Sequence, residues 1–371
     1  MIKIIHTADI HLDSPAAETD FSKSDARRNI LRAAFTSLML YSRAEKADIV
    51  LLCGDIFDSA YASKDTMSLM MREFEANPTC KFIIAPGNHD PYNGASPYKK
   101  LMFPDNVYIF KEPHLTKFSF DDLGCDVYGW AFTSPVMEEH PLASPPTLDP
   151  ERINILACHC DLSSPVSVYA PVTRAELEQA GFDYAALGHI HLSSGVEKTG
   201  AGFYGYSGCL CGRGFDECGK KTFTVCRFEK NGGELFSEFK CVAATKYHFE
   251  KESLPVDGAE TNVEIMAAAE DLIREKKYDG NTALKLTLTG STDPSLIVDE
   301  AAVRDAFPSL FSLSVADETV PFYDTAYLSQ DPTIRGEFYA QIIKRYEDGT
   351  PEEKRVAALA LKYGLAALDG K

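Results

Sequence analysis

The chain has 371 residues, 45% hydrophobic and 25% charged, which is the make-up of a globular protein with more than one typical core. Its 22 Phe and 17 Tyr offer ample apolar area, which excludes a disordered chain, and no apolar run approaches the roughly 20 residues of a membrane helix. A formal charge of −18, taken alone, argues against a free-standing nucleic-acid binder, because the phosphate backbone attracts a positive field. The start reads as a β-strand rather than a signal peptide. The 10 cysteines are unevenly placed in a long chain, so reduced, buried thiols of a cytoplasmic protein are expected rather than a disulfide framework. Cys158/Cys160 and Cys209/Cys211 are C-x-C pairs, not the C-x₂₋₄-C spacing usual for zinc.

In chain order, residues 3–7 form a short apolar strand ending at Ala8-Asp9. Residues 25–43 carry Ile30, Leu31, Phe35, Leu38 and Leu40 among polar residues and predict a helix. Residues 48–53 predict a buried strand ending at Gly54, 64–75 a helix, and 81–85 another buried strand ending at Pro86-Gly87. Runs apolar on both faces and separated by helices imply a largely parallel or mixed sheet covered on both sides. Short strands are expected at 107–110, 115–120 and 126–130, then a proline-rich loop at 141–150. A buried strand at 153–157, a helix at 173–180, a strand at 184–187 ending at Gly188, and strands at 203–206, 222–228 and 235–240 follow.

Composition shifts near Thr245. A smaller α+β unit is read beyond it, with a helix at 262–277, a strand at 284–289, a helix at 296–307 and a strand at 310–315. The tail predicts helices at 334–346 and 351–368, and Pro351 followed by two Glu suits the start of the second. The expected domains are therefore 1–243, 244–330 and a helical tail at 331–371.

Five short motifs each follow a predicted strand: Asp9-Ile10-His11, Gly54-Asp55, Gly87-Asn88-His89-Asp90, His159, and Gly188-His189-Ile190-His191. Loops beyond the strand C-terminal ends of open α/β sheets converge on one crevice. Together they supply three Asp, one Asn and five of the 9 histidines. Such oxygen and imidazole donors suit two divalent metals, with manganese, iron or zinc favoured over calcium. Asp55 is the natural bridge, since a carboxylate can hold one cation on each oxygen. A water shared by two cations becomes a nucleophile near neutral pH, and the cations neutralise charge developing on phosphate oxygens.

In this order the motifs resemble the calcineurin-like metallophosphoesterase superfamily (D-x-H, G-D, G-N-H-D/E, H, G-H-x-H), over roughly residues 1 to 240. The segments 6–15, Tyr169-Ala-Pro-Val-Thr173, 182–191 and Phe215-Asp-Glu-Cys-Gly-Lys220 are more similar still to the SbcD and YhaO-type bacterial DNA repair exonucleases. The resemblance implies a four-layer αββα sandwich with a smaller α+β capping domain and C-terminal helices. It implies one metal on Asp9, His11, Asp55 and His191, and another on Asp55, Asn88, His159 and His189. His89 would touch the scissile phosphate and help protonate the leaving oxygen, a task suited to imidazole. Asp90 would orient His89 or a ligand, or serve only as a local turn or cap. It further implies manganese as the metal, with iron or zinc also fitting, and a homodimer working on DNA with an SMC-type coiled-coil ATPase of the SbcC or YhaN type. Asp58 stands where archaeal and eukaryotic relatives carry a second histidine, as in the bacterial SbcD pattern, which leaves the exo versus endo balance open.

Arg27, Arg28, Arg32, Lys99, Lys100, Arg213, Lys220 and Lys221 lie near the motifs and could meet phosphates. Tyr61, Tyr92 and Phe215 could stack on bases, although core or rim packing accounts for them as well. The leading expectation is a two-metal phosphodiesterase, the exonuclease component of a DNA repair complex. The alternatives are a phosphatase or phosphodiesterase acting on nucleotides or phosphoproteins, and a non-catalytic scaffold for a coiled-coil ATPase. The excess negative charge then predicts weak DNA binding by this chain alone.

Overall fold

Strand β1 (Ile2–Thr7) lies parallel to β2 (Ile49–Leu52), Ile4 beside Ile49 and Thr7 beside Leu52. Their side chains alternate between two covered faces, so every residue of both is buried except the half-buried Lys3. In the computed structural model, which describes residues 1–14, 21–58, 62–293, 296–322 and 325–368, the chain divides into two compact units, Met1–His248 and Phe249–Lys371.

The first unit opens β1, α1 (Phe21–Ala44), β2, α2 (Lys64–Glu75), β3 (Lys81–Ile84), α3 (Pro97–Lys100) and β4 (Val107–Ile109). It continues through β5 (Thr116–Phe120), β6 (Cys125–Gly129), β7 (Ile153–His159), α4 (Arg174–Ala180), β8 (Tyr184–Gly188), β9 (Glu197–Thr199) and β10 (Gly202–Tyr206), and closes with β11 (Thr222–Asn231) and β12 (Glu234–Ala243). Two six-stranded sheets result, in the orders β12-β11-β1-β2-β3-β4 and β5-β6-β7-β8-β10-β9. β1 to β4 run parallel in the first sheet, and β6, β7, β8 and β10 run parallel in the second. The sheets face each other across a shared core that includes Ile4, Leu51, Ile83, Val127, Ile155 and Tyr184.

Helices cover the outer faces. In α1 the buried residues Leu31, Ala34, Phe35, Leu38 and Met39 recur at i, i+3, i+4, i+7 and i+8, one apolar stripe; Leu40, expected on it, is exposed. Phe35 meets Phe74 of α2, which meets Phe82 of β3 at 4.6 Å between ring centroids. Helix α4 starts with a capping box between Thr173 and Glu176 and adds Leu177 and Ala180 to an apolar cluster with Trp130, Phe132 and Tyr204. The four-layer αββα sandwich that the family resemblance implies is the architecture observed. The 141–150 segment is a loop; β9 has no counterpart among the expected strands.

The second unit pairs β13 (His248–Pro255), β14 (Thr282–Thr289) and β16 (Ser312–Asp317) in one sheet, with Leu284 beside Leu313 and Leu286 beside Val315. Helices α5 (Asn262–Lys276) and α6 (Glu300–Asp305) contribute Ile265, Ala269 and Val303 to its core. β15 (Ser291–Thr292) pairs with β17 (Val320–Pro321). The short α7 (Thr325–Leu328) leads to α8 (Ile334–Asp348) and α9 (Pro351–Leu368), which pack together through Tyr339, Leu361 and Leu365. The helix expected at 296–307 is confined to α6. Asp299 accepts the backbone N–H of Ala302 and so sets the start of that helix, while the N–H of Leu296 bonds to Asp293 instead. No described helix is long and apolar enough to cross a membrane.

Candidate metal centre

The C-terminal ends of β1, β2, β3, β7 and β8 carry the five motifs. Parallel pairing within each sheet sends these ends the same way, and backbone bonds tie the loops together. Asp9 N–H donates to Gly54 at 3.1 Å, and His11 N–H donates to Asp55 at 2.9 Å. The His189 N–H donates to the Asp9 carboxylate at 3.2 Å, and the His89 N–H to Asp55 Oδ1 at 2.9 Å. The crowding strains the backbone: Asp9, His11, Asp55 and His189 have φ of 51°, 48°, 52° and 109°, in the left-handed region that side chains disfavour. At Gly54, with φ 87°, a Cβ would stand 2.3 Å from Nδ1 of His159, so only glycine admits that imidazole.

The side-chain donors fall into two sets. In one, His11 Nε2 lies 3.2 Å from His191 Nε2 and 3.8 Å from Asp55 Oδ2, with His191 Nε2 3.7 Å from Asp9 Oδ1. In the other, His159 Nε2 lies 2.9 Å from Asn88 Oδ1 and 3.4 Å from the same Asp55 Oδ2. His189 stands at the flank, its ring 5.2 Å from that of His159 and 5.0 Å from that of Tyr169. Asp9, Asp55, His11 and His159 are buried.

The far nitrogens of the rings set the tautomers. His11 Nδ1 contacts Asp58 Oδ1 at 2.9 Å, His191 Nδ1 contacts Glu217 Oε1 at 2.6 Å, and His159 Nδ1 contacts the Cys53 carbonyl at 3.1 Å. Asp58, Glu217 and the Cys53 carbonyl are acceptors; an Arg213 nitrogen also stands 3.1 Å from His191 Nδ1, but the shorter Glu217 contact places the hydrogen on that nitrogen, so each Nδ1 carries the hydrogen and each Nε2 is left with a lone pair. Two lone pairs therefore face each other 3.2 Å apart between His11 and His191, and a third faces carboxylate and amide oxygens. That arrangement repels itself without a cation. It fits one well, because ligands at 2.0–2.2 Å from an ion stand about 3 Å apart when their bonds meet at right angles. The residues present thus fit two divalent cations, with Asp55 Oδ2 common to both sets.

Burial and charge agree. Burial holds the His11 and His189 imidazoles down to about 4 and that of His159 to about 3, so they stay neutral donors. Burial, then the Asp55 charge, pushes the Asp9 carboxyl well above its usual range, a penalty that a dication offsets. Glu217 goes the other way: burial would raise it, but the His191 bond and the Arg213 guanidinium outweigh that and bring it to about 2.

His89 is the exposed member, and its Nδ1 lies 3.2 Å from the Asp58 carbonyl. Asp90 is fully buried, and its oxygens accept the backbone N–H groups of Asp55, Ile56, Phe57 and Gly87 and the Tyr98 hydroxyl. It fastens the loop that carries Asp55, with no described hydrogen bond to the His89 ring.

Several basic residues expected to meet phosphates have protein partners. Arg27 donates to the Gly212 carbonyl, Arg32 to Asp13, Ser63 and Thr66, and Arg213 to Asp58 and Glu217. Arg28 pairs with Asp25, Lys221 is buried, and Lys99 sits over the Tyr92 ring; Lys100 and Lys220 are exposed. Tyr61 lies outside the described residues. Cys158 and Cys160 join the apolar cluster on the outer face of the second sheet, while His159 between them points to the other face, as alternation along a strand requires. Asp58 and Glu217 were not singled out as site residues. Asp58 follows Asp55 closely, but no spacing links Glu217 to His191, 26 positions away.

The sequence profile described as calcineurin-like phosphoesterase matches residues 2–193. The chain is 26% identical over 328 residues to an uncharacterized metallophosphoesterase, YhaO, of Bacillus subtilis, spanning 85% of this chain and 79% of that protein. It is 23% identical over 393 residues to a component of the nuclease SbcCD of Staphylococcus epidermidis, its SbcD chain, spanning 95% of this chain and 96% of that one. Among solved structures, a dimetal phosphatase from Danio rerio aligns with a TM-score of 0.40 at 11% identity, over 66% of this chain and 99% of that chain. With a profile match over more than half its length, the chain belongs to the calcineurin-like phosphoesterase family.

Proposed function

We propose that this chain is a two-metal-dependent phosphodiesterase acting on DNA, an exonuclease that works as a homodimer beside an SMC-type coiled-coil ATPase. The observation that carries the catalytic reading is the convergence of imidazole lone pairs with carboxylate and amide oxygens 2.9 to 3.8 Å apart, with Asp55 Oδ2 common to both sets. The name of the relative, a component of the nuclease SbcCD, supports DNA as substrate and an SbcC-like partner.

Asp9, His11, Asp55 and His191 would hold one cation, and Asp55, Asn88, His159 and His189 the other. When bound, the pair would supply a nucleophile at neutral pH and neutralise charge on the phosphate oxygens. Manganese suits these imidazoles better than magnesium does. His89, exposed and with its Nδ1 on the Asp58 carbonyl, keeps Nε2 for the leaving oxygen and, as the imidazolium, gives it the Nε2 proton and returns to the neutral ring. Asp90 keeps Asp55 in place. Residues 244–330 would cap DNA, and the helices of 331–371 would dock on the ATPase. With Arg27, Arg32 and Arg213 engaged inside the protein and a charge of −18, a partner would supply much of the attraction for DNA. The same engaged arginines favour a second reading, a phosphatase or phosphodiesterase for nucleotides or phosphoproteins.

A cleavage assay separates the two. End-labelled single- and double-stranded DNA and a small phosphodiester are each incubated with manganese, with magnesium and with the His89→Ala variant. DNA cleaved far faster than the small diester, faster with manganese and not at all by the variant, is the expected result. Equal rates on DNA and the small diester would remove the nuclease reading.

A further inference from the structure

The two donor sets are supported differently. Glu217, 8% exposed, lies in the loop between β10 and β11. It accepts the Nδ1–H of His191 at 2.6 Å and the backbone N–H of Arg213 at 2.7 Å. The Arg213 guanidinium lies 3.3 Å from the same carboxylate and donates to Asp58 at 3.0 Å, and Asp58 in turn accepts the Nδ1–H of His11 at 2.9 Å. One guanidinium thus ties together the two carboxylates that hold the two imidazoles facing each other. His159, in the other set, is held at Nδ1 by the Cys53 carbonyl.

We propose that Glu217 is a positioning residue for one cation of the pair, the one that Asp9, His11 and His191 would hold, and leaves the other cation unaffected. This rests on the two-metal reading above. A carboxylate on Nδ1 keeps the hydrogen there and the lone pair on Nε2, and it makes that nitrogen a stronger donor. Without it the His191 ring is free to take the other tautomer, whose Nε2–H binds no metal. Arg213 loses one of its two carboxylate acceptors at the same time, and with it part of what fixes the guanidinium on Asp58 and so on His11. Because Glu217 is buried, water does not readily replace it.

The test is a manganese titration by calorimetry on the full chain, comparing wild type, Glu217→Ala, Glu217→Gln and His89→Ala, with electron paramagnetic resonance on the same samples. Wild type and His89→Ala are expected to bind two ions. Glu217→Ala should bind one as wild type does and the other roughly 10–100-fold more weakly. Its spectrum should lose the signal of the coupled pair and keep that of a single ion. Glu217→Gln, which retains an acceptor for His191, should recover part of the affinity. Two ions bound by Glu217→Ala with wild-type affinity, or both weakened equally, would overturn the proposal. Should Glu217→Ala fail to fold, Glu217→Gln carries the same expectation at smaller size, and wild-type affinity for both ions there overturns it. A wild type that binds fewer than two ions defeats the two-metal reading itself.

Discussion

The two units of the chain are built by different rules. All 9 histidines, all 10 cysteines and the one tryptophan fall within residues 1–248, and none within 249–371. Of the eight described non-glycine residues with positive φ, seven are in the first unit, and four of these are the candidate ligands Asp9, His11, Asp55 and His189. The eighth, Lys277, merely closes α5. The second unit relies on a capping box at α5 and on buried, alternating Leu284, Leu286 and Leu288. Strain and buried polar groups gather where donors must converge, and regular packing stabilises the rest.

The largest expected effect is on His89. Its change to Ala should lower hydrolysis by about 10²–10⁴-fold while both ions stay bound, whereas Asp55→Asn should lose at least one ion. Rates and bound metal measured together check this, and loss of both ions from His89→Ala would refute the division of roles within the first unit.

A pair of glycines tests the contrast between units directly. Gly54→Ala places a Cβ 2.3 Å from the His159 ring at φ 87°; it should displace that ring, weaken an ion and destabilise the first unit well beyond about 1 kcal/mol. Gly258→Ala keeps an unfavourable φ of 77° but meets open space, so about 1 kcal/mol is expected from backbone strain alone. Denaturant unfolding measures both, and equal costs would erase the distinction.

The smallest effect is a response to acid in the metal-free protein. Burial holds His6 and His159 to about 3 and His11 and His189 to about 4, against an ordinary value of 6.5. Between about pH 4 and 6.5 the unfolded chain binds more protons at these four sites, so the stability they contribute at neutral pH is lost as pH falls through that window. Asp90, raised to about 6 by burial and then by the Asp55 charge, acts in the opposite sense, as does Asp9; two carboxyls only partly offset four imidazoles. Hydrogen exchange, corrected for intrinsic rate, should show protection falling across the first unit on acidification, while the histidine-free second unit does not respond by this route. Parallel loss in both units would count against the histidine account.

Much of the fold was legible because it is local. Apolar runs at β1, β2, β3 and β7 and the period of α2 and α9 are set by neighbouring residues, so their bounds match expectation closely. Elements that depend on distant partners were not legible: β13 exists because it joins β14, with α5 between them. Leu296 resembles the helix that follows it, yet the Asp299 cap begins that helix later.

The sequence by itself determined the inventory of donors, their placement after strands, and the family, since these are properties of residue type and order. Tertiary structure alone decided which donors face one another, because His11 and His191 are 180 positions apart and His159 and Asn88 are 71 apart. It also decided that Arg213 and Glu217 serve the imidazoles, and that Arg27, Arg32 and Arg213 near the motifs have protein acceptors. Such contacts follow from strand order across two sheets, and no local pattern encodes them.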